Sequence, residues 1–274
     1  MLGYEEMTEI SSFVDEMGVD GEEVGGLVAW AIDLYEHGII TKEDTGGYEL
    51  KWGDIPTVNR LLHRLSYREG KVGNALADGY RRAYEVFGEE SIWYAFEFHG
   101  CSGGTYDPRN KSSGRGLEYG TSHNGARMGA GHAQALREAA TICNFAQSPF
   151  GTIWGSDEEI CAAWLKPLAG WDITPEEVED IKLRNYYFNR AVSLREGYHP
   201  SKDDGLCPRC FDEPIGNKYG ETWIWDRDEW AEAAKEYYVS NLALTEDGIL
   251  LRGELERLGL DFVIPVLKPM NGIG

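Results

Sequence analysis

The sequence predicts a mainly α protein, and three observations carry that prediction. Apolar residues recur at helical spacing in several windows, glycines follow the ends of those windows, and one segment, "TPEEVEDI", holds a complete helix start. From Glu22 to Tyr35 the apolar residues of "EEVGGLVAWAIDLYEHG" fall at roughly helical spacing, and Gly38 offers a left-handed stop. "IPTVNRLLHRLSYREG" repeats the pattern, with Pro56 near its start and Gly70 after its end, and "GNALADGYRRAYEVFG" closes on Gly88. Three helices are therefore expected in the first hundred residues. Between the first two, "TKEDTGGYELKWGD" is turn-rich and then alternates Tyr48, Leu50 and Trp52, which suits a short strand or an extended loop.

From Gly100 to Gly131 the chain is rich in glycine and serine and follows neither the helical nor the strand period. A domain boundary or a site-forming loop is expected here, with one helical domain over residues 1–103 and a second over 104–274. Helices are expected again at 131–146, 157–169 and 174–196. The last opens with Thr174 as N-cap, Pro175 in the first turn, and Glu176 and Glu177 at the positive helix end. A loop from Gly197 to Thr222 leads to the acidic, aromatic helix "RDEWAEAAKEYYVSNLAL" and a short one, "RGELERLGL". No fixed-period repeat is present.

Composition narrows the functional classes. A chain of 274 residues with 42% hydrophobic content buries a proper core. No window approaches the length of an apolar membrane span, and the start, "MLGYEEMTEI", is acidic where an export signal is basic and then apolar, so a cytoplasmic protein is expected. Forty-seven acidic against twenty-six basic residues give a net charge of -21, which repels phosphate backbones and anionic headgroups. Nucleic acid and membrane are thus not expected as partners. The five cysteines, Cys101, Cys143, Cys161, Cys207 and Cys210, are odd in number, which favours free thiols or metal ligands over disulfides.

Several groups carry possible chemistry. Cys143 ends the alanine-rich run of "LREAATICNFAQSPFG" and by itself suits a buried small hydrophobe. However, "DEMGVD" (15–20) and "EAATIC" (138–143) share a spacing, a carboxylate followed five positions on by a ligand-capable side chain. Each lies near an expected helix end, where unpaired backbone groups meet a ligand. Cys207 and Cys210 have the two-residue gap of zinc sites, with His199 near in sequence; a structural zinc needs one ligand more, and the other readings are a redox pair or two plain loop thiols. His123 and His132, in the glycine-rich region, are candidates for acid-base work or ordinary loop residues. The acidic face from Glu176 to Asp180 belongs to helix-start chemistry and solvent. There is no Walker-type phosphate loop, dinucleotide fingerprint or serine nucleophile elbow.

Taken together, these segments resemble the C-terminal, mostly helical portion (domains 2 and 3) of the tungsten-containing aldehyde ferredoxin oxidoreductase family. "VDEMGVD" is similar to its first pterin-binding signature, Asp-x-x-Gly-x-Asp, and "AWAIDLYEHGIITKEDTGGYELKWGD" to the helix and acidic turn that follow. "REGKVGNALADGYRRAYEVFG", "YDPRNKSSGRGLEYGTS", "LAGWDITPEEVEDI", "RAVSLREGYHPSKDDGLCPR" and "LRGELERLGL" come in the family's order, so the resemblance spans nearly the whole chain. "EAATIC" stands at the second signature, Asp-x-x-Gly-x-Cys, with Glu138 for the aspartate and Thr141 for the glycine. The resemblance implies that Cys143 supplies the fourth thiolate to a 4Fe-4S cluster beside a tungsten (or molybdenum) bis-pterin. It implies that Asp15, Asp20 and Glu138 hold pterin nitrogens, with backbone contacts from Val19 and Ile142.

The departures from the pattern bear on function. The family's other three cluster cysteines and its first domain precede the first signature and are not in this sequence, and one thiolate does not hold a cubane cluster. Met128 stands near the family's active-site histidine, and the segment from there to Glu138 is short; His123 or His132 is the substitute in that reading. Cys207 and Cys210 fall in a run that the family fills with "DD-x-L-P-x-R", which Asp203, Asp204, Leu206 and Arg209 partly fit. The leading expectation is the C-terminal part or subunit of an enzyme oxidising an aldehyde, or a related oxo compound, to a carboxylic acid. Electrons would pass to ferredoxin through the cluster, and the chain would be inactive without an N-terminal domain or an upstream-encoded subunit. The alternatives are a cofactor-free helical remnant or binding module, and a small zinc-binding protein using Cys207 and Cys210.

Overall fold

The computed structural model describes residues 3–104, 106–123, 125–126, 139, 141 and 156–274. The chain forms two compact units, one of Met1–Ser113 with Leu206–Trp225 and the other of Gly114–Gly205 with Asp226–Gly274. Both are mainly helical, as the sequence predicts.

The first unit begins with α1 (Tyr4–Met17) and α2 (Gly21–Glu36). The first of these is absent from the sequence-based expectation. Leu27, Trp30, Ala31 and Leu34 of α2 are buried, and each large apolar side chain so placed stabilises the unit by about 1.5–3 kcal/mol. Trp30 donates its indole N–H to the Ser91 carbonyl at 3.1 Å, and its ring meets Tyr84 edge-on. Residues 48–51 form neither helix nor strand; Leu50 is buried, and the Tyr48 ring lies 5.1 Å from the guanidinium of Arg60 and likewise of Arg64.

Next come α3 (Ile55–Ser66), α4 (Gly70–Leu76), α5 (Gly79–Phe87) and α6 (Glu90–Tyr94). The run expected as one helix up to Gly88 is two, because Gly79 takes φ +76 and a right-handed helix does not continue through that conformation. α3 and α4 approach so closely that a Cβ on Gly73 would stand 2.6 Å from the Arg64 carbonyl oxygen. Glu97–Phe98 and Cys101–Ser102 form a small antiparallel hairpin, with Phe98 opposite Cys101. The returning segment packs on this unit through Arg209, which donates to Asp33 at 2.8 Å, and through Trp225, whose indole donates to the Pro108 carbonyl at 2.7 Å.

The second unit contains α7 (Arg115–Thr121), α8 (Asp157–Ala169), α9 (Pro175–Arg195), α10 (Arg227–Leu242) and α11 (Arg252–Arg257). Thr174 caps α9 as expected, accepting the Glu177 amide at 3.2 Å while the Glu177 carboxylate accepts the Thr174 amide at 2.8 Å. Arg190 of α9 is fully buried and donates to the Gly248 and Thr121 carbonyls at 2.8 and 3.1 Å. Asp204 lies 3.6 Å from it and accepts from Tyr198 and Tyr238, so the buried charge is paired and hydrogen-bonded. Of the helix expected over 131–146 only residues 139 and 141 are described: 139 is helical, whereas Thr141 takes φ +55, a conformation through which a right-handed helix does not continue. No described helix is long and apolar enough to cross a membrane.

Candidate functional site

The first signature occupies the turn between α1 and α2. Gly18 ends α1 at φ +66, its amide donating to the Asp15 carbonyl at 3.1 Å. That left-handed residue reverses the chain within two positions. The Val19 amide then donates to the Val14 carbonyl at 3.2 Å, and Asp20 becomes the N-cap of α2, its Oδ1 accepting the Glu23 amide at 2.9 Å. The turn thus brings Asp15, Val19 and Asp20 together, with both carboxylates exposed. Asp15 stands at a cleft of about 610 Å³ lined by Met7, Ile10, Val14, Val24 and Val28 together with Gly21 and Gly25. A larger cleft of about 710 Å³, carrying Glu9, Glu16, Arg60 and His63, includes none of Asp15, Val19 and Asp20.

A polar cluster fixes the start of α2. Glu23 accepts the Ser102 amide at 2.7 Å, and the Ser102 hydroxyl donates to the Glu23 carbonyl at 3.0 Å and lies 3.1 Å from the Tyr80 hydroxyl. A Cβ on Gly26 would stand 2.7 Å from the Ser102 Cβ and 2.9 Å from the Tyr80 hydroxyl, so a side chain there would push α2 off the hairpin. Beside it Glu97 accepts from Gly100 N–H at 2.6 Å and from Tyr84 at 3.2 Å; burial raises its carboxyl above the usual range against those hydrogen bonds. Sequence reasoning missed Glu23 and Ser102 as positioning residues. The only local signal was Glu23 three places after an N-cap.

Of the second signature, Glu138, Ile142 and Cys143 lie outside the described residues, as do His132 and Met128. Thr141 is described, and it takes φ +55, the conformation of Gly18 at the same place in the first signature. His123 is partly buried, with its ring edge-on to Tyr186 at 5.3 Å. Cys207 and Cys210 are buried, their sulfurs 3.5 Å apart.

The described donors can be set against the groups the resemblance implies. Asp15 and Asp20 offer exposed carboxylate oxygens beside a turn where open space surrounds the Cβ positions of Gly18 and Gly25, which fits the N–H donors of a pterin ring. Among the described residues no three His, Cys, Asp or Glu side chains gather as metal ligands. The cluster ligand Cys143 falls outside them.

Comparison with known proteins bears on these assignments. The family model described as aldehyde ferredoxin oxidoreductase, domains 2 and 3, matches over residues 3–136 and 129–260. An aliphatic sulfonate oxidoreductase WOR-like subunit from Pyrococcus furiosus is 33% identical over 277 residues, covering 93% of this chain and 43% of its own. A tungsten-containing aldehyde ferredoxin oxidoreductase from Pyrococcus abyssi is 28% identical over 287 residues, covering 92% and 45%. The chain thus spans less than half the length of these curated relatives. Among solved structures, the active-site complex BamBC of benzoyl coenzyme A reductase with 1,5-dienoyl-CoA has TM-score 0.61 at 16% identity, over 96% of this chain and 47% of that one, a likeness of fold.

Proposed function

The chain belongs to the aldehyde ferredoxin oxidoreductase family through domains 2 and 3, and from that premise we propose that it is the C-terminal part of an enzyme oxidising an aldehyde, or a related oxo compound, to a carboxylic acid. The observation that carries this reading is the folded first signature, with Asp15 and Asp20 exposed about the left-handed Gly18. Asp15, Asp20 and Glu138 accept hydrogen bonds from pterin N–H groups, and charge on the acceptors strengthens each bond. Because the Val19 amide is already committed to Val14, Val19 contributes through its carbonyl. Ile142 would contribute backbone contacts, and Cys143 would be the fourth thiolate holding a 4Fe-4S cluster, whose chemistry is electron transfer toward ferredoxin.

When bound, the tungsten or molybdenum bis-pterin supplies the two-electron oxidation, and this chain holds and orients it. The helical domains over 1–103 and 104–274 carry one signature each. His123 or His132 handles the proton at the substrate. The other three cluster thiolates and the phosphate-binding domain come from the N-terminal half of the enzyme, in one polypeptide with this chain or as an upstream-encoded subunit, and without it the chain is inactive. The assembly works in the cytoplasm.

The test is anaerobic metal analysis of the chain purified alone and with that N-terminal half, together with aldehyde-dependent reduction of ferredoxin. Iron and tungsten in the complex only, with iron lost on Cys143→Ala and pterin lost on Asp15→Ala, support the reading. A complex that forms without metal overturns it and leaves a cofactor-free member of the fold.

A further inference from the structure

We propose that Cys207 and Cys210 form a reversible dithiol-disulfide site oxidised by hydroperoxides, with Cys207 as the attacking thiol and Cys210 as the resolving one. This inference is independent of the proposed activity. Its first support is geometric. The Cys210 amide donates to the Cys207 carbonyl at 3.0 Å, an i to i+3 turn bond, and such a turn holds its end Cα atoms within about 7 Å. A disulfide spans Cα separations of roughly 4.4–6.8 Å. The sulfurs stand 3.5 Å apart, so closure to a bond needs an approach of about 1.5 Å, which side-chain rotation within the turn supplies.

Burial then sets the oxidant and the order of events. Cys207 is 7% exposed and Cys210 is 0% exposed, so only Cys207 meets a reagent from outside, and that reagent must be small. The hydrogen bond to Cys207, followed by burial, pushes the Cys210 thiol up and keeps it protonated until it is used, although the Arg109 guanidinium works the other way. Arg109 itself is held by Asp107 at 2.9 Å and by the Glu213 carbonyl at 2.9 Å. Among the described residues no third ligand joins the two sulfurs, so those residues do not complete a closed four-ligand zinc site.

The chemistry balances in two steps. The Cys207 sulfur attacks one peroxide oxygen, the O–O bond breaks, and the products are Cys207 sulfenic acid and one water (or an alcohol from an organic hydroperoxide). The Cys210 sulfur then displaces hydroxide from the sulfenic sulfur, its proton leaves with that hydroxide as a second water, and the S–S bond forms. Two thiols are oxidised and one peroxide is reduced. A low-molecular-weight thiol reverses the reaction by exchange.

The experiment uses the full chain. It is treated with hydrogen peroxide, alkylated after denaturation and digested with trypsin without reductant. Trypsin cleaves after Lys202, Arg209 and Lys218, so the two cysteines fall in separate peptides, 203–209 and 210–218. The expected result is a linked pair of these peptides lacking two hydrogens, which separates on reduction and forms several-fold faster than Cys161 oxidises. In Cys210→Ala, Cys207 should be trapped as a dimedone-reactive sulfenic acid, while Cys207→Ala should leave Cys210 alkylatable. Full alkylation of both thiols after peroxide, pairing of either with Cys101 or Cys161, or oxidation of Cys207 to the sulfinic acid in the native chain would overturn the proposal. The wild-type digest is decisive even if neither variant folds.

Discussion

Asp20 holds the Glu23 amide at 2.9 Å through one carboxylate oxygen, so a residue of the first signature is at once the N-cap of α2 and a candidate ligand. The two roles separate by substitution. Asp20→Ala should cost about 1 kcal/mol, whereas Asp20→Ser keeps a cap and should stay within a few tenths. Both should abolish pterin retention in the assembled enzyme. Asp15, exposed and outside the cap, should give normal stability and the same pterin loss on Asp15→Ala. Urea midpoints of the chain and pterin content of the complex check all three; retention of pterin by Asp20→Ser would reduce the residue to its cap.

Thr141 and Gly18 share the left-handed conformation, and they differ in what it costs. At φ +55 the β-branched Thr141 is strained by about 1–2 kcal/mol. Glycine removes the strain but adds freedom to the unfolded chain, worth about 0.5–1 kcal/mol in the opposite direction. Thr141→Gly should therefore raise stability by about 0.5–1 kcal/mol net. Thermal unfolding measures this, and a fall in the midpoint would show that the backbone does not hold the left-handed state.

How far such features were legible depends on the distance in sequence over which their causes act. The Thr174 cap and the Gly38 stop are local chemistry, and both stand where the sequence puts them. The break between α4 and α5 escaped detection because the apolar spacing of "NALADGYRRAYEVF" runs through Gly79, and only the backbone angle ends the helix. The hairpin strands are two residues each, too short to show a period. The Glu23 to Ser102 bonds join residues 79 apart, and the return of Leu206–Trp225 to the first unit is equally non-local. Asp15 and Asp20 were named as candidate ligands by resemblance, not by any local signal. Their capping and turn geometry follows from Gly18 and Asp20, residue types suited to those positions.

The acidic turn after α2 supplies a pH-dependent prediction. Asp44 accepts Lys71 at 2.7 Å, the Thr41 amide at 2.9 Å and the Thr41 hydroxyl at 2.7 Å. Lys71 foremost, then the two Thr41 donors, pull its carboxyl down from 3.8 to about 2 against slight desolvation. A depressed native value means that the unfolded chain binds the proton more readily, so this contribution is present above the ordinary value and is lost as pH falls toward the native one. With partial exposure taken into account, Asp44→Asn should cost about 1–2 kcal/mol at neutral pH. The wild-type and variant urea midpoints should then converge as pH drops from about 4 toward 2. Lys71→Met removes the largest cause and should raise the Asp44 value, read directly by carboxyl NMR titration. A difference between the wild type and Asp44→Asn that stays constant down to the acid limit would show that Lys71 and Thr41 do not stabilise the charged form of Asp44.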